Sequence, residues 1–421
     1  MKRFLSICLR NDHILPLLFL ACYLCTNSYT YAWDDQHLEI PLLKHLIDPT
    51  LYKGDYYVEG LAHNFTSYLY VLLAKVIRIP QIPTVYFILF LIARYAMFFW
   101  VYKLWRWLAQ ARWPAAAATL MFILLGRTEE FLYRTFSHQE FSYIFMFPGL
   151  YYFYRERFVL AAAILGIGAN FNAIYNLFPM MYILAFLLFT HKERWKLIVK
   201  TSLAFIITAS PFLAWQIQRM VERKLTVGSA VPIAEWMPLY LISCQQNFLF
   251  WTKSLSAAMG DIPFVLGRLE PYLMLLVLYA VLCVWSVNFR RDLKVHTIVA
   301  VSYFLIVYSF VFSYIYPSRF MIDLNLLRSE QFVRFFLMGY LTITAVKYVK
   351  QAPPWKAMLT AVFLCLASFG SLEVMPFKIK RYIAAFVFIV LGSAWLIFRP
   401  KSRHAALIRQ LLIAEIGRAH V

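Results

Sequence analysis

Apolar runs of near membrane-spanning length recur along the whole chain, and they limit the fold more than any other feature. Examples are residues 83–100, 295–314 and 335–346. Of the 421 residues, 62% are hydrophobic and only 15% are charged, and a soluble domain cannot bury so much apolar surface. The sequence therefore predicts an all-α polytopic membrane bundle of about ten to twelve transmembrane helices, forming one domain over residues 1–415.

The net charge of +20 does not indicate nucleic-acid binding, because the basic residues lie in short clusters between apolar runs. Lys103 with Arg106 and Lys192 with Arg194 are two such clusters. Clusters of this kind mark the cytoplasmic loops of membrane proteins, so we expect a cytoplasmic N-terminus in a bacterial inner membrane. The longer, alternate segments hold most of the acids, and function is therefore expected on the external side.

The first external loop, about residues 33–80, begins with Asp34 and Asp35. One of these carboxylates could take a proton from an acceptor hydroxyl, or the pair could hold a divalent cation. The alternative is that two acids simply solvate the end of a helix. Apolar residues then recur at helical spacing from Leu38 to Ile47, which predicts an amphipathic helix on the membrane surface.

An acidic pair that opens a long external loop, after a first helix that runs outward, resembles the GT-C glycosyltransferases. That resemblance implies a GT-C-like fold and transfer of a sugar from a polyprenyl-phosphate carrier on the extracytoplasmic face. It also implies that an acid of the first external loop acts as base, and Asp34 or Asp35 occupies the matching position. The WWDYG motif of oligosaccharyltransferases is absent, which argues against protein glycosylation. The acceptor, whether glycan, lipid or protein, stays open.

A late external loop, about residues 316–334, carries Arg319, Arg328 and Arg334. The forked guanidinium donors match phosphate oxygens, so these arginines are candidates for binding the donor phosphate. The alternative is a simple ion pair between Glu330 and Arg334, four residues apart on a helix.

Further substrate-binding candidates are Glu39, His138, Glu140 and Asn172. A solvated external loop is the alternative for His138 and Glu140, and helix capping is the alternative for Asn172. Arg94 lies inside an apolar run, where we expect it to pair with an acid or to extend toward the interface.

Two other functions fit the same sequence. A polysaccharide polymerase or ligase would use the same carrier and an arginine-rich late loop, whereas a flippase or transporter would bind a lipid-linked saccharide without catalysis. No metal-ligand spacing is visible, and no cofactor is expected apart from the divalent cation considered for the acid pair. Residues 416–421 match the in-frame translation of a common sequencing adapter, so we expect them to be foreign to the natural protein.

Overall fold

The computed structural model describes residues 13–33, 35–65, 67–125, 131–191, 193–226, 235–238, 247–250 and 260–349. Regular structure in these ranges is helical, without strands. The chain divides into two compact units, Met1–Val346 and Lys347–Val421. Asp34, the last two predicted spans and residues 416–421 lie outside the described residues, so the prediction of a single domain stays a prediction.

The helices follow the chain with few long interruptions. They are α1 Ile14–Asn27, α2 Gln36–Ile47, α3 Tyr56–Asn64, α4 Tyr68–Val76, α5 Ile82–Ala109, α6 Arg112–Leu125, α7 His138–Tyr154, α8 Phe158–Ala169, α9 Ala173–Thr190, α10 Trp195–Thr208, α11 Ser210–Thr226, α12 Ile262–Trp285, α13 Val287–Arg290, α14 Leu293–Phe310, α15 Arg319–Asp323 and α16 Glu330–Val349.

Several of these helices are long and apolar enough to cross a membrane. Within the described ranges they are Ile79–Ala109, Ala173–Thr190, Ile262–Trp285 and Leu293–Ile315, and the pair α10–α11, bent by 68°, would add a fifth. About 20 apolar residues span a hydrocarbon core, whereas α1, α6 and α8 are shorter apolar helices. The chain is an integral membrane protein. The expected total of ten to twelve spans stays a prediction.

The helix predicted from Leu38 to Ile47 is present as α2, and Asp48, the residue after it, has an extended backbone. The position of α2 on the membrane surface stays a prediction. Its apolar face buries Leu42 and Leu43. Two polar residues on the same helix, Gln36 and Glu39, are also buried. The Gln36 side chain donates a hydrogen bond to the carbonyl of Phe136 at 2.8 Å, which fixes α2 against the segment leading into α7.

The asparagines of the α8–α9 turn hold helix ends. Asn170 donates to the carbonyl of Thr208 at 2.9 Å and accepts from the amide of Phe212 at 3.0 Å, so it bridges the break between α10 and α11. Asn172 accepts a hydrogen bond from the Tyr175 amide at 3.3 Å at the start of α9. Helix termini leave backbone groups that such side chains satisfy, so Asn172 makes the contact of the capping alternative.

The late external segment contains helical structure. It contains α15 and a 3-10 turn over Leu326–Ser329, and α16 already begins at Glu330. The prediction that a loop extends to Arg334 is therefore wrong at its end. Glu330 and Arg334 form an ion pair four residues apart, and this spacing favours continuing the helix to that point.

Candidate functional site

A cluster of buried polar side chains lies where α2, α5 and α7 meet. Glu39 is 2% exposed, and Arg94 and Glu140 are each 1% exposed. Glu39 is in the first turn of α2, Arg94 is near the middle of α5, and His138 and Glu140 are in the first turn of α7. We call Glu39, Arg94, Ser137, His138 and Glu140 the polar cluster.

His138 is held by the first external segment on two sides. Its Nδ1 lies 2.8 Å from Oε1 of Glu39. The hydroxyl of Tyr70 on α4 accepts a hydrogen bond from the His138 backbone amide at 3.1 Å, and the ring of Phe65 meets the imidazole edge-on at 4.8 Å. The His138 side chain keeps 18% exposure, so it connects the buried carboxylate with the surface.

The Glu39 carboxyl holds its proton more strongly than an exposed glutamate. Burial raises its pKa most, the hydrogen bond from His138 opposes that rise, and the charge of Asp35 adds to it. The hydrogen bond between the Glu39 carboxyl and Nδ1 of His138 therefore links a buried acid to a partly exposed imidazole.

Arg94 and Glu140 form the second half of the polar cluster. Arg94 Nη2 lies 3.7 Å from Glu140 Oε1, and the two terminal nitrogens of Arg94 donate to the carbonyls of Phe131 and Tyr133, each at 2.6 Å. Ser137 donates its hydroxyl hydrogen to Glu140. The expected pairing of Arg94 with an acid is confirmed. The solvated-loop alternative is wrong for Glu140, because the Arg94 charge compensates this acid inside the protein.

Asp35 is an exposed residue directly before α2. Its negative charge raises the pKa of Glu39, which lies one turn further along the helix. Asp34 lies outside the described residues. A catalytic role for either aspartate therefore stays a prediction, as does a divalent cation between them. The described residues contain no group of three or more His, Cys, Asp or Glu side chains that could hold a metal ion.

The three late arginines occupy different surroundings. Arg319 is exposed on α15. Arg328 lies over the ring of Tyr175, with its guanidinium carbon 5.6 Å from the ring centre. Arg334 pairs with Glu330, which is the alternative to phosphate binding. It also lines a small pocket with Trp105 of α5 and with residues of α6 and α16.

Aromatic rings separate Arg328 from the polar cluster. The Tyr175 ring meets that of Tyr143 at 5.3 Å, and the Tyr143 hydroxyl accepts a hydrogen bond from Gln139, the neighbour of His138. The pocket that Arg334 lines includes none of the first-loop acids. Arg328 is thus connected to the polar cluster only through the rings of Tyr175 and Tyr143, and Arg334 has a different set of contacts.

Sequence reasoning missed Ser137, Tyr70 and the contact between Glu39 and His138. The pattern Ser137-His138-Gln139-Glu140 is that of a helix capping box, and Ser137 does cap α7 by accepting from the Gln139 amide at 3.1 Å. That pattern could have placed the helix start. The partner of His138 lies 99 residues away in sequence, and no local signal encodes it.

No protein-family model matches the chain, and neither the curated proteins nor the solved structures include a significant match.

Proposed function

We propose that this chain is an integral membrane glycosyltransferase with a GT-C-like architecture. It moves a sugar from a polyprenyl-phosphate carrier to an acceptor on the extracytoplasmic face. Its N-terminus is cytoplasmic, which places the first external segment and the polar cluster on that outer side. The acceptor is a glycan, a lipid or a protein.

One observation carries the proposal: α2, the helix that follows the acid pair, contributes Glu39 to a buried charged cluster in a membrane bundle. Ionisable groups are costly in such surroundings, and they mark functional sites in membrane proteins. An ion pair that only stabilised the fold would need only Arg94 and Glu140. Glu39 and His138 add a second titratable pair that extends to the surface beside Asp35.

In the proposed reaction, Asp34 or Asp35 takes the proton of an acceptor hydroxyl. The acceptor oxygen attacks the anomeric carbon, and the bond from that carbon to the phosphate oxygen breaks with its electron pair on the phosphate. Guanidinium groups of the late segment, Arg328 above all because of its place behind Tyr175, compensate the phosphate charge.

The test is transfer by the purified protein in nanodiscs, with a panel of polyprenyl-phosphate sugars, followed by release of polyprenyl phosphate. We expect release with at least one donor. Asp34→Asn and Asp35→Asn should each be made, and loss of the base should lower the rate by about 10²–10⁴-fold. Asp55→Asn is the matched control, because Asp55 is an exposed cap of α3 in the same segment. Full activity in both first-loop variants would refute the assignment of the base.

A proton-coupled transporter is the second candidate, and the position of Arg94 favours it. Arg94 lies within the candidate span Ile79–Ala109 and is paired with Glu140. Buried ion pairs beside a titratable imidazole occur along proton pathways. Proteoliposomes that move a lipid-linked saccharide across the bilayer without releasing polyprenyl phosphate would favour this function over sugar transfer.

A further inference from the structure

The hydrogen bonds that fix the His138 ring use only one of its two nitrogens. Nδ1 is engaged by Glu39 at 2.8 Å and lies 3.4 Å from the Tyr70 hydroxyl. Over the part of the chain that the structure describes, Nε2 has no hydrogen-bond partner, and the side chain is 18% exposed. An imidazole fixed through one nitrogen presents the other to a ligand in a defined direction.

The proton held by the pair determines what Nε2 can do. If Glu39 carries the proton, its hydroxyl donates to Nδ1, and the neutral imidazole then has its hydrogen on Nε2. If the imidazole is doubly protonated, Nε2 again carries a hydrogen. Only a charged Glu39 beside a neutral imidazole would leave Nε2 bare, and that state places an uncompensated carboxylate in a buried site.

The surroundings of the pair disfavour that bare state. Arg94 is already compensated by Glu140, and Asp35 adds negative charge near Glu39. Tyr70 and Phe65, which contact the imidazole from α4 and from the segment before it, bring no positive charge. The hydrogen bonds from His138 and Tyr70 lower the pKa of Glu39, but burial is the larger effect. Burial accordingly raises the pKa of the Glu39 carboxyl. When Glu39 carries the proton, Nε2 bears a hydrogen and is a hydrogen-bond donor.

We propose that His138, positioned by Glu39, donates a hydrogen bond from Nε2 to the phosphate of a lipid-linked ligand. This inference rests on the proposed function, and it names the side chain that donates a hydrogen bond to the leaving phosphate. When the bond to the sugar breaks, the phosphodiester becomes a monoester and gains a second negative charge. That charge develops on the oxygen that leaves the sugar, and the hydrogen bond from Nε2 to this oxygen strengthens as it becomes charged.

Farnesyl phosphate, farnesol and inorganic phosphate are suitable probes for the purified protein in nanodiscs. We expect the wild type to bind farnesyl phosphate more tightly than either other probe. His138→Gln should weaken binding of farnesyl phosphate by about tenfold or more, since a hydrogen bond to a charged group is lost, and should leave farnesol unchanged. His37→Gln, an exposed histidine of α2, is the matched control and should behave as the wild type.

The outcomes separate this inference from the function on which it rests. If the wild type does not prefer farnesyl phosphate to farnesol, both the proposed function and the role of His138 are refuted. If the wild type prefers farnesyl phosphate to farnesol and a folded His138→Gln variant keeps that preference in full, only the role of His138 is refuted. Inorganic phosphate that binds as tightly as farnesyl phosphate would overturn the assignment to a lipid-linked ligand.

A second measurement uses the unaltered protein and so does not depend on a variant that folds. Nitrogen NMR of ¹⁵N-histidine-labelled protein distinguishes a protonated Nε2 from a bare one. The His138 signal is identified by its loss in His138→Gln or by its displacement in Glu39→Gln. We expect a protonated Nε2 whose signal shifts with farnesyl phosphate but not with farnesol. A bare Nε2 would overturn the inference.

Discussion

Arg94 on α5 lies 3.7 Å from Glu140 on α7, and both side chains are 1% exposed. The same guanidinium binds the carbonyls of Phe131 and Tyr133, and its carbon lies 5.3 Å from the ring centre of Tyr23 on α1. One charged residue therefore connects three helices with the segment that leads into α7. That segment presents His138, so the position of the candidate site depends on Arg94.

Arg94→Met should strongly destabilise the protein. It removes the buried partner of the Glu140 charge and of the Phe131 carbonyl, and breaking a buried pair costs about 3–5 kcal/mol. Lys103→Met on the same helix is the control, because among the described residues the contact of Lys103 is with the ring of Phe99. Thermal unfolding in detergent measures both. Adding Glu140→Gln to Arg94→Met should recover part of the loss, and a stable single variant would contradict the prediction.

Gly339→Ala should destabilise the packing of α16 on α5. A Cβ atom at Gly339 would lie 2.1 Å from the ring of Trp105, which is fully buried. Overpacking of this kind costs about 1–3 kcal/mol. The control is Gly267→Ala within α12, where the added Cβ meets nothing within 4 Å and should stabilise the helix slightly. Equal unfolding temperatures for the two variants would show that α16 can shift away from Trp105.

Glu156→Gln should lower stability at neutral pH but not in acid. Lys294 Nζ lies 2.9 Å from Glu156, and this hydrogen bond and charge lower the pKa of the carboxyl below 4.5. A lowered pKa in the folded state gives stability that is present above pH 4.5 and is lost as the pH falls through the folded value. The effect should be small, since Glu156 is 66% exposed.

The measurement for Glu156 is the difference in unfolding temperature between wild type and variant at several pH values. The difference should be present at pH 7 and should shrink in acid. The exposed residue Glu193 offers a control, Glu193→Gln, for the loss of one negative charge in the neighbouring turn. A difference for Glu156→Gln that grows as the pH falls would have the wrong sign.

Local patterns predicted much of the helical structure. The apolar spacing from Leu38 to Ile47 predicted α2, and Asp48 ends it. The late loop was predicted to extend to Arg334, but α16 already begins at Glu330. The prediction placed this helix by its apolar run, which starts after Glu330. Polar residues at the start of a helix carry no hydropathy signal, so only their i,i+4 pairing marks the helix there.

The sequence by itself determined that this is a helical membrane protein, because hydropathy and helical periodicity depend on residues close together in the chain. It also identified Arg94 as a charge that needs a partner. Only the tertiary structure decided which partner that is, and that Glu39 meets His138 across 99 residues. Contacts of that separation depend on how helices pack, and many different packings satisfy the same local pattern.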